Sequence, residues 1–240
     1  MIANSKESPE LKESPAALLA QAHTAQAAND FKKAAYLFGV VLLQEPANKM
    51  ALFGKACSHC NYGLLLQAQG KLVEAAEHYE AALKINPNLA VTHCNYGILL
   101  MDQGKLVEAV EHYEAALRIN PNHALFHFNY GILLQVQGKL GEAAEHYKAA
   151  LRINPKHANT HFNYAMLLRD DMNDAKAALS HSRAAVKLDD NCQRRTGYGC
   201  TLFALGDLAL AEVELRKALE MKAGDTEAQK MLDRVQNTKS

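Results

Sequence analysis

Asn61-Tyr62-Gly63-Leu64-Leu65-Leu66-Gln67-Ala68-Gln69-Gly70-Lys71-Leu72-Val73-Glu74-Ala75-Ala76-Glu77-His78-Tyr79-Glu80-Ala81-Ala82-Leu83-Lys84-Ile85-Asn86-Pro87-Asn88 recurs with few changes from Asn95 and again from Asn129, a period of 34 residues. Self-similarity at such a period marks a stack of supersecondary units, each unable to bury its apolar face alone. Within the unit, Ala75, Tyr79, Ala82 and Leu83 fall at i, i+4, i+7 and i+8, the spacing of one buried helical stripe. Gly70, Gly104 and Gly138 stand midway through each unit, where a left-handed residue can turn the chain between two antiparallel helices. Asn86-Pro87, Asn120-Pro121 and Asn154-Pro155 then close each second helix, because the residue before proline avoids the helical region. Each unit reads as helix, glycine turn, helix, proline turn.

Working outward, residues 15–48 read as a degenerate first unit, with a break at Asn29-Asp30 and a second helix from Phe31 to about Gln44. Residues 1–15 are dominated by Ser, Pro, Glu and Lys and are expected to form a disordered tail. Regular units are expected at 56–89, 90–123 and 124–157. The unit at 158–191 has Met172 in place of the midway glycine and Asp189 in place of the proline, and the one at 192–224 recovers Gly199, Gly206, Ala211 and Leu215. Asp225 then caps a last helix with Ala228, Met231, Leu232 and Val235 on one face, so 225–240 read as a capping helix and tail.

Pro87 follows Pro46 at a spacing of 41 residues rather than 34. Seven extra residues make nearly two helical turns, so they lengthen a helix without rotating its buried face. One helix from about Asn48 to Gln69 is therefore predicted, with a seven-residue extension at 49–55 that packs on the first unit or projects past its neighbours.

The positions of Gly63, Gly70, Ala75, Tyr79, Ala82 and Pro87, repeated as Gly97, Gly104, Ala109, Tyr113, Ala116 and Pro121, resemble the tetratricopeptide (TPR) repeat over roughly residues 15–223. The resemblance implies an all-α, right-handed α-solenoid of about six helix-turn-helix repeats plus a C-terminal capping helix. It also implies a concave surface lined by the first helices, where Asn61, Asn95, Asn129 and Asn163 recur once per unit. A carboxamide both donates and accepts, so such a ladder can pair with the backbone of an extended peptide whatever its sequence. Alternatively, these asparagines bond to neighbouring helices or water. Four neutral hydrogen bonds at about 1 kcal/mol each barely match the lowest association cost, so apolar contact must add to them. Leu64, Ile98, Met101, Phe128, Ile132, Phe162 and Met166 flank the ladder and supply it, with Cys57, Cys60, Val91, Cys94 and Leu125 beside them. The partner is thus expected to be a protein segment, extended or helical, or another copy of the chain. A clamp for a chaperone's C-terminal carboxylate would need Lys and Arg where this chain has Cys, Val and Phe.

Lys plus Arg and Asp plus Glu number 26 each, which leaves no net field to hold nucleic acid or an anionic membrane. The longest apolar run, Ala34 to Leu43, is too short to span a bilayer, and the first residues lack a signal-peptide core. Five cysteines, an odd number, argue for reduced thiols and a cytoplasmic protein. No phosphate loop, nucleophile elbow or isolated carboxylate pair suggests catalysis or a cofactor. Cys57-Ser58-His59-Cys60 has CxxC spacing without a second CxxC, and no metal site is expected there. Histidines recur at 59, 93, 127 and 161 on first helices and at 78, 112 and 146 on second helices. Duplication alone explains that recurrence: the first set is expected to replace an aromatic between helices and the second to lie on the solvated face, with a metal ladder or pH switch as the sharper alternative. Glu80 and Lys84 are spaced to pair along one exposed helix.

Overall fold

The computed structural model describes residues 13–239, which form thirteen α-helices, one π-helical turn and no strand among the described residues. Most of the tail expected over 1–15 lies outside the described residues. Its last residues are ordered: the Ser14 side chain accepts from the Ala17 N–H at 3.3 Å and Pro15 occupies the first turn of α1. Proline suits that position because its missing N–H has no partner there in any case.

The chain divides into two compact units, one ending at Pro121 and the other beginning at Asn122. The first contains α1 (Pro15–Ala27), α2 (Phe31–Gln44), α3 (Lys49–Ala68), α4 (Leu72–Ile85), α5 (Ala90–Asp102) and α6 (Leu106–Ile119). Each helix packs on the next in sequence, and α3 also touches α1 and α5. The second contains α7 (Ala124–Val136), α8 (Leu140–Ile153), α9 (Ala158–Met166), α10 (Ala175–Leu188), α11 (Cys192–Ala204), α12 (Leu208–Met221) and α13 (Thr226–Lys239), again packed in sequence.

Packing within each helix pair follows from one large and several small residues. On α4, Ala75, Tyr79 and Ala82 are fully buried, as are Ala109, Tyr113 and Ala116 on α6 and Ala143, Tyr147 and Ala150 on α8. The tyrosine ring lies over a glycine of the preceding helix, so close that a β-carbon on Gly131 would stand 2.8 Å from Tyr147 and one on Gly63 2.9 Å from Tyr79. Tyr79 and Tyr147 donate from their hydroxyls to Gln67 (3.0 Å) and Gln135 (2.9 Å), which satisfies the buried polar end of each ring.

Gly70, Gly104, Gly138 and Gly206 all have positive φ, as the turn reading requires. In the unit from Ala158 the turn residue is not Met172 but Asn173, at φ 53°. One extra residue precedes it, and the π-helical turn Leu167–Asp171 absorbs it. The position equivalent to Pro155 is correspondingly Asp190 rather than Asp189, which caps α10. Asn tolerates the left-handed region because its side chain is short and polar.

Helix α3 starts from its N-cap Asn48 and ends at Ala68, within one residue of the sequence expectation. Ala51 and Gly54 of its extension are buried, and Gly54 faces the Phe38 ring, which comes within 2.4 Å of where a β-carbon would sit. Gln26 of α1 donates to Ser58 (2.9 Å) and to the Gly54 carbonyl (3.2 Å). The extension therefore packs on the first repeat, while Met50 and Phe53 stay exposed. At the other end, Ala228, Met231, Leu232 and Val235 of α13 are buried with Leu215 and Ala218 of α12, and Glu227, Lys230 and Asp233 face outward.

Candidate functional site

The first helices hold their asparagines on a face that is only partly open. In the first unit Asn61 is exposed, whereas Asn95 is half-buried with its Nδ2 4.0 Å from the Cys60 sulfur. In the second, Asn129 is half-buried, and Asn163, also half-buried, lies near the Tyr147 hydroxyl. Asn95 thus already has a partner within the chain, the alternative left open for it above.

The apolar flank divides in the same way. Leu64 (50% exposed), Val91 (56%) and Leu125 (47%) offer open surface, and Ile98, Met101, Ile132, Phe162 and Met166 are half-buried. Phe128 departs from the expected groove lining: at 9% exposed it packs between Tyr147 and His157, with ring centroids 6.2 and 5.1 Å away. Cys60 and Cys94 are likewise buried rather than lining an open surface. In the second unit Phe162 and Met166 border a narrow seam against Gly197 and Tyr198 of α11, where Arg169 donates to the Gly197 carbonyl at 2.8 Å and pairs with Asp170.

The cysteines are not set up for thiolate chemistry. Burial raises the pKa of Cys57 and of Cys60, and Cys57 is raised further by Cys60 itself. His59 turns away from them. Among the described residues no group of three or more His, Cys, Asp or Glu is placed to hold a metal.

The histidines do something the sequence reading missed. The second-helix set is half-buried rather than solvated, and each member meets the first-helix histidine of its own repeat. The Nδ1 atoms of His59 and His78, His93 and His112, His127 and His146, and His161 and His181 all lie 2.9 Å apart. His181 completes the series although it stands 20 residues after its partner instead of 19, the same extra residue that the π-turn absorbs. The constant 19-residue offset was the available signal.

Two pairs have tautomers fixed by their surroundings. His93 Nε2 lies 3.0 Å from the Pro87 carbonyl and His161 Nε2 3.0 Å from the Pro155 carbonyl. A carbonyl only accepts, so Nε2 carries the proton and Nδ1 is the acceptor; His112 and His181 must donate from Nδ1. Adding a proton to the acceptor would set two N–H groups against each other. His59, His112 and His181 are pushed down to about 4, by burial first and then by the neighbouring histidine. His78, His93 and His146 are also lowered, chiefly by burial. A tyrosine ring contacts each second-helix histidine: Tyr62, Tyr96, Tyr130 and Tyr164, at 4.5 to 4.7 Å between centroids. The pairs are ring-packed ties between the two helices of a repeat.

Family models described as tetratricopeptide repeat match residues 54–122, 96–158, 135–192 and 195–225. Among solved structures, PilF of Pseudomonas aeruginosa is similar at a TM-score of 0.72 and 18% identity, covering 93% of this chain and 99% of PilF. YrrB, described as a TPR protein with an unusual peptide-binding site, is similar at 0.62 and 20%, covering 80% of this chain and 95% of its own. The Cut9–Hcn1 complex of the anaphase-promoting complex contains a chain similar at 0.66 and 19%, covering 95% of this chain and 43% of that one. No curated protein sequence matches. At these identities the structural likeness establishes the fold alone, and no helix among the described residues is long and apolar enough to cross a membrane. With matched repeats over most of its length and the solenoid fold of PilF and YrrB, the chain belongs to the tetratricopeptide repeat family.

Proposed function

We propose that the chain is a non-catalytic scaffold that binds an extended or helical segment of a partner protein along the face of its first helices. The observation that carries this reading is that each unit leaves apolar side chains open on its asparagine-bearing first helices: Leu64 beside Asn61 and Val91 beside Asn95 in the first unit, and Leu125 beside Asn129 in the second. Apolar side chains left open on successive first helices suit a partner that is itself extended, and carboxamides recurring every 34 residues supply sequence-tolerant hydrogen bonds. The TPR fold is used by protein-interaction scaffolds, and the peptide-binding site named for YrrB agrees with the reading.

The test is a pull-down from lysate with the wild-type chain beside Asn95→Ala/Asn129→Ala, both checked for helicity. A partner held by the wild type and lost from the variant supports the groove; equal capture by both sinks it. Exposed Met50 and Phe53 on the extension favour a second reading, self-association through that helix. Sedimentation would then give a concentration-dependent mass that Phe53→Glu abolishes.

A further inference from the structure

One position recurs at the junctions between repeats, where a side chain of a second helix meets the tyrosine of the next first helix. In the first unit, Tyr96 of α5 donates from its hydroxyl to Glu80 of α4 at 2.6 Å, so Glu80 faces the next repeat instead of Lys84. In the second unit the same two positions are Lys148 of α8 with Tyr164 of α9, and Arg183 of α10 with Tyr198 of α11, where the Arg183 Nε donates to the Tyr198 hydroxyl at 3.3 Å. Between α2 and α3 the two positions are Gly39 and Tyr62. Glycine has no side chain to offer, and no described residue hydrogen-bonds the Tyr62 hydroxyl.

Where the missing side chain would lie there is an open cleft of about 460 Å³. Its walls are Tyr36, Val40 and Leu43 of α2, Lys55 and Tyr62 of α3, and His78 of α4, with Lys32 at the rim. Tyr36 and Leu43 are exposed. Lys55 Nζ reaches to 3.4 Å from where a β-carbon on Gly39 would stand, and the next repeat has Leu89 in the place of Lys55. Neither Lys32 nor Lys55 has an acidic partner among the described residues. This junction alone in the first unit thus combines a lost carboxylate, a gained ammonium, a free hydroxyl donor and an apolar wall.

We propose that this cleft is a second docking site, for a partner peptide that presents a carboxylate beside an apolar side chain. The carboxylate takes the place that Glu80 holds one repeat later, accepting from the Tyr62 hydroxyl and pairing with Lys55. The apolar side chain lies on Tyr36, Val40 and Leu43. A charge-assisted hydrogen bond is the stronger kind. The asparagine positions take no part, so the site stands or falls separately from the groove on the first helices.

The test is an NMR titration of the full 15N-labelled chain with Ac-Leu-Glu-Phe-NH2 and with Ac-Leu-Gln-Phe-NH2. The glutamate peptide should give saturable shifts at Gly39, Lys55 and Tyr62, and the glutamine peptide should bind about tenfold more weakly, the loss of one charge-assisted contact. Gly39→Glu supplies the carboxylate from the chain itself; it should abolish binding while retaining wild-type helicity and melting temperature, and Lys55→Gln should weaken binding about fivefold. Equal affinity for the two peptides, binding unchanged in Gly39→Glu, or no saturable shift up to about 5 mM would each overturn the proposal. A doubled mass that Gly39→Glu removes would put a second copy in the cleft and overturn it as well.

Discussion

Acid should unfasten the repeats before it touches their carboxylates. His59, His112 and His181 have folded-state pKa values of about 4 against an ordinary 6.5, so the unfolded chain binds more protons than the folded one between those limits. Stability from these residues is complete above pH 6.5, falls as the pH drops towards about 4, and levels off below it. At full strength each shift would be worth ~3 kcal/mol; the rings are half exposed, and screening leaves on the order of 1 kcal/mol each, roughly 3 kcal/mol for the three. The lowered carboxylates, Glu145 and Glu212, take up protons only below the ordinary 4.5, so the upper window belongs to histidine. Guanidinium unfolding at about pH 7.5, 6.5, 5.5 and 4.5 measures the slope. His112→Asn keeps a donor near the Nδ1 position but cannot titrate in this range, so its slope should be shallower by up to one proton, or ~1.4 kcal/mol per pH unit. Stability that is flat from neutral to about pH 4.5, or ring nitrogens that titrate near 6.5 in 15N spectra, would refute the pairing argument.

Three further changes follow from the packing. Gly131→Ala drives a methyl to 2.8 Å from the Tyr147 ring and should cost about 1–3 kcal/mol in chemical unfolding, with near-ultraviolet circular dichroism reporting the displaced tyrosine. Lys105 occupies the N-cap of α6 without a side-chain cap bond, whereas Asp30 and Asp207 cap their helices from the same position; Lys105→Asp should raise stability by about 1 kcal/mol in the same assay. Glu214 is buried and accepts from Arg195 at 2.5 Å and Lys217 at 3.0 Å, so Glu214→Gln should lower the unfolding midpoint by the equivalent of about 1–3 kcal/mol.

The helices were legible because each repeat states its own punctuation. Gly70 and Gly104 mark left-handed turns, Pro87 and Pro121 mark helix ends, and the seven-residue surplus before Cys57 could go only into helix α3. The single extra residue before Asn173 was not legible, since a one-residue shift in a decayed repeat looks like substitution at Met172 until backbone angles are known. Side-chain pairing was the harder layer. Spacing placed His59 and His78 on facing helices but did not say that both would turn inward, because the outcome depends on how closely Gly63 lets α4 approach α3. Phe128 was misplaced for a related reason: helical periodicity allots it to the first-helix face, but an aromatic neighbour such as His157, in the following connection, can draw a ring inward. The vacancy at Gly39 was visible only once Glu80 and Arg183 were seen to bond tyrosines across junctions.

Photo-crosslinking tests the central claim most directly. A benzophenone side chain is placed in turn at Leu64 and Val91, on first helices, and at Val73 and Val107, which are exposed on second helices. The account predicts that one partner crosslinks through Leu64 and Val91 and not through Val73 or Val107. A partner captured from Val73 and Val107 alone would contradict it and move the working surface to the second helices.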